Sequence, residues 1–342
     1  MTTTILSPAP VGQTKLVSIT SWAVWPVLLA VAVLMPTFID SNYWLQVAVN
    51  AEIMIIAAVG LYVTFGLSGQ VSLGQAGFYA IGGYTAGLLV TKLSMDYGIA
   101  LVLAMIASIL VGLAIGIPAL RLKGHYLALA TLGFGQVVML ILVNWSWLSG
   151  GALGVRGIVA PVFGFELVKV SDWAIFVGVI AVLAIYVVQR IRQSSYGRAM
   201  QAVRDSGIAA AAMGVSLPKV KVLAFVVGAA FAGLAGALNA GFVTYISPGT
   251  YDLALSVSIL AMVVVGGSRS PWGAALGAIL LTFLPELLRS FEAYYLLFYG
   301  VLLLVMVAFV PSGIWGVLQW IGRFLRDKLR RGPSLASEGG VR

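Results

Sequence analysis

Ten apolar runs follow one another along this chain, at residues 22–39, 44–66, 76–92, 98–120, 126–147, 172–189, 221–244, 253–266, 272–288 and 294–310. The hydrocarbon core of a bilayer, about 30 Å thick, takes about 20 helical residues, and shorter runs serve where a helix is broken or re-entrant. The pattern therefore predicts an all-α polytopic membrane protein with about ten transmembrane helices, some of them glycine-broken or re-entrant. Composition agrees: 61% of the 342 residues are hydrophobic and 9% are charged, a bias that no soluble core requires. A polar stretch with Lys15 precedes the first run, but no small-residue cleavage site follows it, so it is expected to be a retained helix.

The chain has no cysteine, which excludes disulfides, thiolate metal sites and cysteine nucleophiles. Its one histidine, His125, leaves histidine metal sites and Ser-His triads hard to build. It lies at a span entrance and reads as an interfacial residue. A net charge of +9 does not mark a nucleic-acid surface, because the basic residues occupy short loops between apolar runs. With ten spans, 16 of the 20 Lys and Arg fall on one side, and only Lys92, Arg156, Lys169 and Arg289 on the other. The positive-inside rule then puts both termini in the cytoplasm. The expected divisions are a cytoplasmic segment at 1–21, a transmembrane domain at 22–311, and a cytoplasmic amphipathic helix with a disordered tail at 312–342. Within the domain, 190–220 is a cytoplasmic loop and 148–171 a periplasmic one.

Several segments carry more than hydropathy. Residues 66–87, GLSGQVSLGQAGFYAIGGYTAG, mix glycine with Ser68, Gln70, Ser72 and Gln75. Such a stretch either breaks a helix beside a water-filled path or lets two backbones pack closely. A second tract, GGSRSPWGAALG at 266–277, has a similar break. Glu52 sits inside the second run beside Asn50, where a charged carboxylate costs about 2.5–3.5 kcal/mol at a helix centre. It is expected to face the bundle interior or a wetter end; Asn144 and Asn239 read alike. Candidate path residues are Glu52, Gln70, Ser72, Gln75, Gly77, Gly266 and Gly267. In the outer loop, glycines followed by alternating residues suggest a turn and a small hairpin, either a cap or a landing place for a delivery protein. Residues 314–331 space Trp315, Leu318, Ile321, Phe324 and Leu325 as a basic amphipathic surface helix.

Between the sixth and seventh runs lies SSYGRAMQAVRDSGIAAAAMGVSLPKVKVL, a polar, basic, small-residue stretch suited to docking on another protein. Together with GLSGQVSLGQAGFYAIGGY, RLKGHYLALATLGFG, AGLAGAL and VVVGGSRSPWGA, in that family's order, it makes the chain resemble the membrane permeases of ABC importers for branched-chain and other hydrophobic amino acids. The resemblance covers roughly residues 45–315. It implies a paralogous permease, two cytoplasmic ATPase subunits and a periplasmic binding protein. It also implies that Gly197, Arg198, Arg204, Asp205, Gly207, Ala209, Ala210 and Gly214 form the segment that meets an ATPase. The family commonly has an acidic residue where this chain has Gly207. No G-x-x-x-x-G-K-[ST] phosphate loop is present, so ATP and magnesium are expected on the partners, with no cofactor and no metal in this chain. Two alternatives stay open: a urea or short-amide importer permease, and a lone proton-coupled transporter using Glu52.

Overall fold

The computed structural model describes residues 16–119, 122, 124–159, 161–162, 165–288, 300, 313–317 and 319. Twelve α-helices run along them: α1 (Leu16–Phe38), α2 (Asn42–Leu61), α3 (Gln75–Leu93), α4 (Tyr97–Ala119), α5 (His125–Asn144), α6 (Ser146–Ser149), α7 (Val170–Gln193), α8 (Ser195–Asp205), α9 (Gly207–Ala212), α10 (Leu217–Val243), α11 (Leu253–Gly266) and α12 (Pro271–Leu288). Among the described residues, seven helical stretches are long and apolar enough to cross a membrane. With α1 and α3 they coincide, to within a few residues, with the first nine expected runs. All of the tenth run at 294–310 but residue 300, with Lys15, Arg121, Lys123, Arg289 and most of the C-terminal surface helix and tail, lies outside the described residues.

The chain wraps around α2. Val49, Ile53, Ile56 and Val59 are fully buried, as expected of a helix apolar on every face. One side of α2 packs on α7 and α12, with α1 laid against α7; the other packs on α10. Helix α10, 27 residues long, also carries α3 and α4. Small residues set that contact: a methyl added at Gly82 would collide with the Gly233 carbonyl, and one at Gly236 with the Tyr79 carbonyl. Backbones this close are the small-residue packing that membranes favour. The outward faces of α4 and α5 are apolar and exposed, including Val102, Ile106, Leu110, Leu129, Val137 and Leu140.

The 148–171 loop contains the expected hairpin, with β2 (Pro161–Val162) antiparallel to β3 (Phe165–Glu166). Sequence reading missed its anchor. Strand β1 (Val155–Arg156) pairs antiparallel with β4 (Tyr245–Ile246), which follows α10, and the Arg156 guanidinium lies 5.1 Å from the Tyr245 ring centroid. Ile158 is fully buried, filling the space left at Gly87. Asn144 takes the wetter of its two expected places: it is exposed at the end of α5 and donates to the Leu140 carbonyl, 2.8 Å away.

Candidate functional site

Helix α2 does not end cleanly. Its last turn widens into a π-turn at Tyr62–Leu67, and the chain then runs without helix through 68–74 before α3 begins. Such turns leave backbone groups to be satisfied locally. Ser68 Oγ donates to the Thr64 carbonyl at 2.7 Å, and Thr64 Oγ1 donates across to the Ala224 carbonyl of α10 at 3.1 Å. Gln70 Nε2 donates to Ser68 Oγ at 2.6 Å and to the Lys221 carbonyl at 3.2 Å. Farther on, Thr131 of α5 accepts from the Leu73 amide and Ser256 of α11 from the Ala76 amide. The broken segment is thus tied to three helices by short polar side chains.

The 194–223 stretch folds as two short helices against this break. Ser194 caps α8 by accepting from the Gly197 amide at 3.2 Å, and Ser206 caps α9 by accepting from the Ala209 amide at 3.3 Å. Helix α8 is amphipathic and buries Gly197, Met200 and Val203. Gly197 must be glycine, because a methyl there would strike the Ile191 carbonyl. Arg204 crosses from α8 to the break: its Nη1 donates to the Gly66 carbonyl at 2.7 Å, while the guanidinium also pairs with Asp205 at 3.0 Å. Its methylenes cover Gly69, whose φ of +71° is easy only for glycine. Arg198 is exposed, with Nη1 donating to the Gln193 carbonyl at 2.9 Å.

Helix α9 turns the other way. Ala210 is buried beneath it, Ala209 is exposed, and Ile208 and Met213 are 88% and 85% exposed, projecting as two bare apolar knobs. Gly214, at φ +82°, ends the helix. Gly207 has room, since a Cβ there would stand 3.8 Å from Leu217.

Three motifs distant in sequence meet here. A cavity of about 150 Å³ is lined by Ser68 and Gln70 of the break, Leu122 and Gly124 of the α4–α5 turn, and Arg204 and Lys221. Not all expected path residues join it. Ser72 and Gln75 are buried at the start of α3, and Gly77 lies where α3 crosses α5 beside Phe134 and Gly135. Gly266 and Gly267 belong to the tight α11–α12 turn, where a methyl at Gly266 would collide with the Gly273 carbonyl. Glu52 is remote from the break. It is buried in the wall of a separate apolar cavity between α1, α2, α7 and α12. Sequence reading passed over Thr64, Thr131 and Ser256, although Thr131 lies inside RLKGHYLALATLGFG.

Residues 43–309 match the family described as the branched-chain amino acid transport system permease component. The chain belongs to that family. Over 311 residues the permease is 37% identical to the high-affinity branched-chain amino acid transport system permease protein LivM of Salmonella typhimurium, covering 84% of this chain and 73% of that one. LivM of Escherichia coli gives the same identity and coverage. The autoinducer 2 import system permease protein LsrC of Salmonella paratyphi B is 28% identical over 265 residues, 72% of each chain. No solved structure matches. The permease is accordingly a multi-pass membrane component of an ABC importer, a transport subunit and not itself an enzyme.

Proposed function

We propose that the permease carries branched-chain or other hydrophobic amino acids across the inner membrane, driven by ATPase subunits that dock on α8 and α9. The bond from Arg204 to the Gly66 carbonyl carries this reading. It joins the docking segment to the interrupted end of the central helix, so a rigid-body push on α8 reaches α2 without a flexible link. Ile208 and Met213 are the apolar contacts offered to an ATPase groove, and Arg198 and Asp205 are the charged rim. A charged rim contributes little affinity; with Gly207 in place of an acidic residue, shape and packing carry the contact.

The remaining parts of the reading follow. The chain has ten spans, with 1–21 and 312–342 cytoplasmic on either side of a domain at 22–311. A paralogous permease faces it, a periplasmic binding protein delivers cargo at the 148–171 side, and substrate crosses between the two permeases. Gln70, Ser72, Gln75 and Gly77, with Gly266 and Gly267, form the moving break and turn near the path. ATP and magnesium are held by the partner subunits. The test is uptake of labelled leucine and urea into vesicles holding both permeases, the ATPases and the binding protein. ATP-dependent leucine uptake that is lost when 197–214 is disrupted is the expected result. Uptake by this chain alone under a proton gradient would overturn the importer reading, and ATP-dependent urea uptake would overturn the cargo.

A further inference from the structure

Away from the docking segment, two cavities share Trp272 and Trp315 as a common wall. The first, about 330 Å³, is lined by Trp25, Gln189, Arg190 and Gln193 beside those two tryptophans. It lies at the C-terminal end of α7, where that helix passes into α8, and so on the docking side of the membrane. The second, about 460 Å³, continues along α7 and is walled by Leu28, Ala51, Ala181, Ile279 and other apolar side chains, with Glu52 at its Gly178 end. From Gln193 to Gly178 the pair spans fifteen residues of α7, about 22 Å at 1.5 Å per residue. That is close to half of the roughly 40–45 Å of a whole bilayer with its headgroups. The length is that of one leaflet.

The polar groups are sorted along this length. At the mouth Trp25 packs on Trp272 at 5.5 Å and edge-on to Tyr186 at 4.9 Å, the aromatic cluster typical of a membrane interface. The Arg190 guanidinium lies over Tyr186, 5.1 Å from its centroid, bringing positive charge to the same place. Among the described residues, two buried polar atoms there have no partner: the Trp315 indole N–H, a donor, and Gln189 Oε1, an acceptor. Unpaired buried groups of this kind are costly unless a ligand completes them. Beyond the mouth the wall is apolar until Glu52, whose carboxylate takes no part at the polar end.

We infer that this groove holds one anionic phospholipid from the leaflet on the docking side, with an acyl chain in the apolar cavity and a hydroxyl-bearing headgroup at the mouth. Its phosphate accepts from Trp315 and faces Arg190, and its headgroup hydroxyl donates to Gln189. The site is separate from the substrate path, and it fixes α1 and α12 against the α7 that feeds the docking helices.

The experiment is native mass spectrometry of the assembled importer, stripped in detergent and given phosphatidylglycerol or phosphatidylethanolamine of equal chain length. Brominated-chain phosphatidylglycerol, read by tryptophan quenching, locates the chain. One phosphatidylglycerol held per copy, at least tenfold preferred, is expected. Filling the cavity with Ala181→Phe, or its more exposed rim with Ile279→Trp, should cut retention tenfold, and the rim change tolerates folding if the inner one does not. Arg190→Gln should remove the headgroup preference while chain binding persists. Wild-type assembly that retains no lipid, or retention indifferent to both cavity fillings, overturns the inference. So does glycerol 1-phosphate competing as well as the intact lipid, which would mark an anion site instead.

Discussion

Replacing Arg204 with alanine should release α8 from the broken end of α2 while leaving the helical bundle folded. The lost contact is a charge-assisted hydrogen bond of 2.7 Å to the Gly66 carbonyl, a class worth about 1.5–3 kcal/mol. Arg204 is 30% exposed, and solvent screening places the loss near the lower half of that range, about 2 kcal/mol. The pair with Asp205, whose side chain is 69% exposed, adds only a few tenths of a kcal/mol. At about 1.4 kcal/mol per tenfold, docking of α8 weakens about thirtyfold. Reconstituted importer should therefore show ATP-driven leucine uptake reduced at least tenfold per ATP hydrolysed, with basal hydrolysis retained. Arg204→Lys keeps the charge but not the fork that reaches both partners, and should recover part of the coupling. Asp205→Ala should change uptake less than twofold. Equal losses from Arg204→Ala and Asp205→Ala, or full coupling without Arg204, would refute the assignment of transmission to the Gly66 contact.

Other outcomes follow from the same geometry. Gly82→Ala places a methyl against the Gly233 carbonyl, so α3 and α10 must separate; a cost above about 3 kcal/mol should appear as loss of detergent-extractable folded protein. Gly207→Glu has space beside Leu217 and puts a carboxylate at the start of α9, so thermal stability should stay within about 0.5 kcal/mol. Ile208→Asp exposes a charge where an apolar knob stands; ATPase pull-down should fall at least tenfold with an unchanged melting curve. Glu52→Gln is nearly isosteric in an apolar wall remote from the break, so ATP-driven uptake should persist; its abolition would favour a proton-coupled role.

Much of the bundle was legible because each span is a local property: twenty apolar residues form a helix in lipid whatever surrounds them. The 194–223 stretch was legible only as a polar, basic, small-residue loop; its division into two helices capped by Ser194 and Ser206 is a finding of the structure. What the sequence hid was pairing at long range. The glycines of 66–87 do both things expected of them, breaking a helix at Gly66 and Gly69 and packing closely at Gly82 and Gly83, but their partners Gly233 and Gly236 lie 150 residues away. The β1–β4 pair escaped because each strand has two residues and no periodicity to show. Glu52 was grouped with the break because both are polar inside apolar runs; packing separates them, since a helix presents its faces to different neighbours.

The β1–β4 pair has a mechanical consequence. It staples the 148–171 loop to the far end of α10, whose near end leaves α9 after only a short turn. Helix α10 is 27 residues long, about 40 Å at 1.5 Å per residue. Under the proposed docking on α8 and α9, α10 would act as a lever: a tilt of about 5° at its α9 end would swing the stapled end by about 3.5 Å. In that reading a stroke at the α9 end would reach the 148–171 loop within a single covalent element.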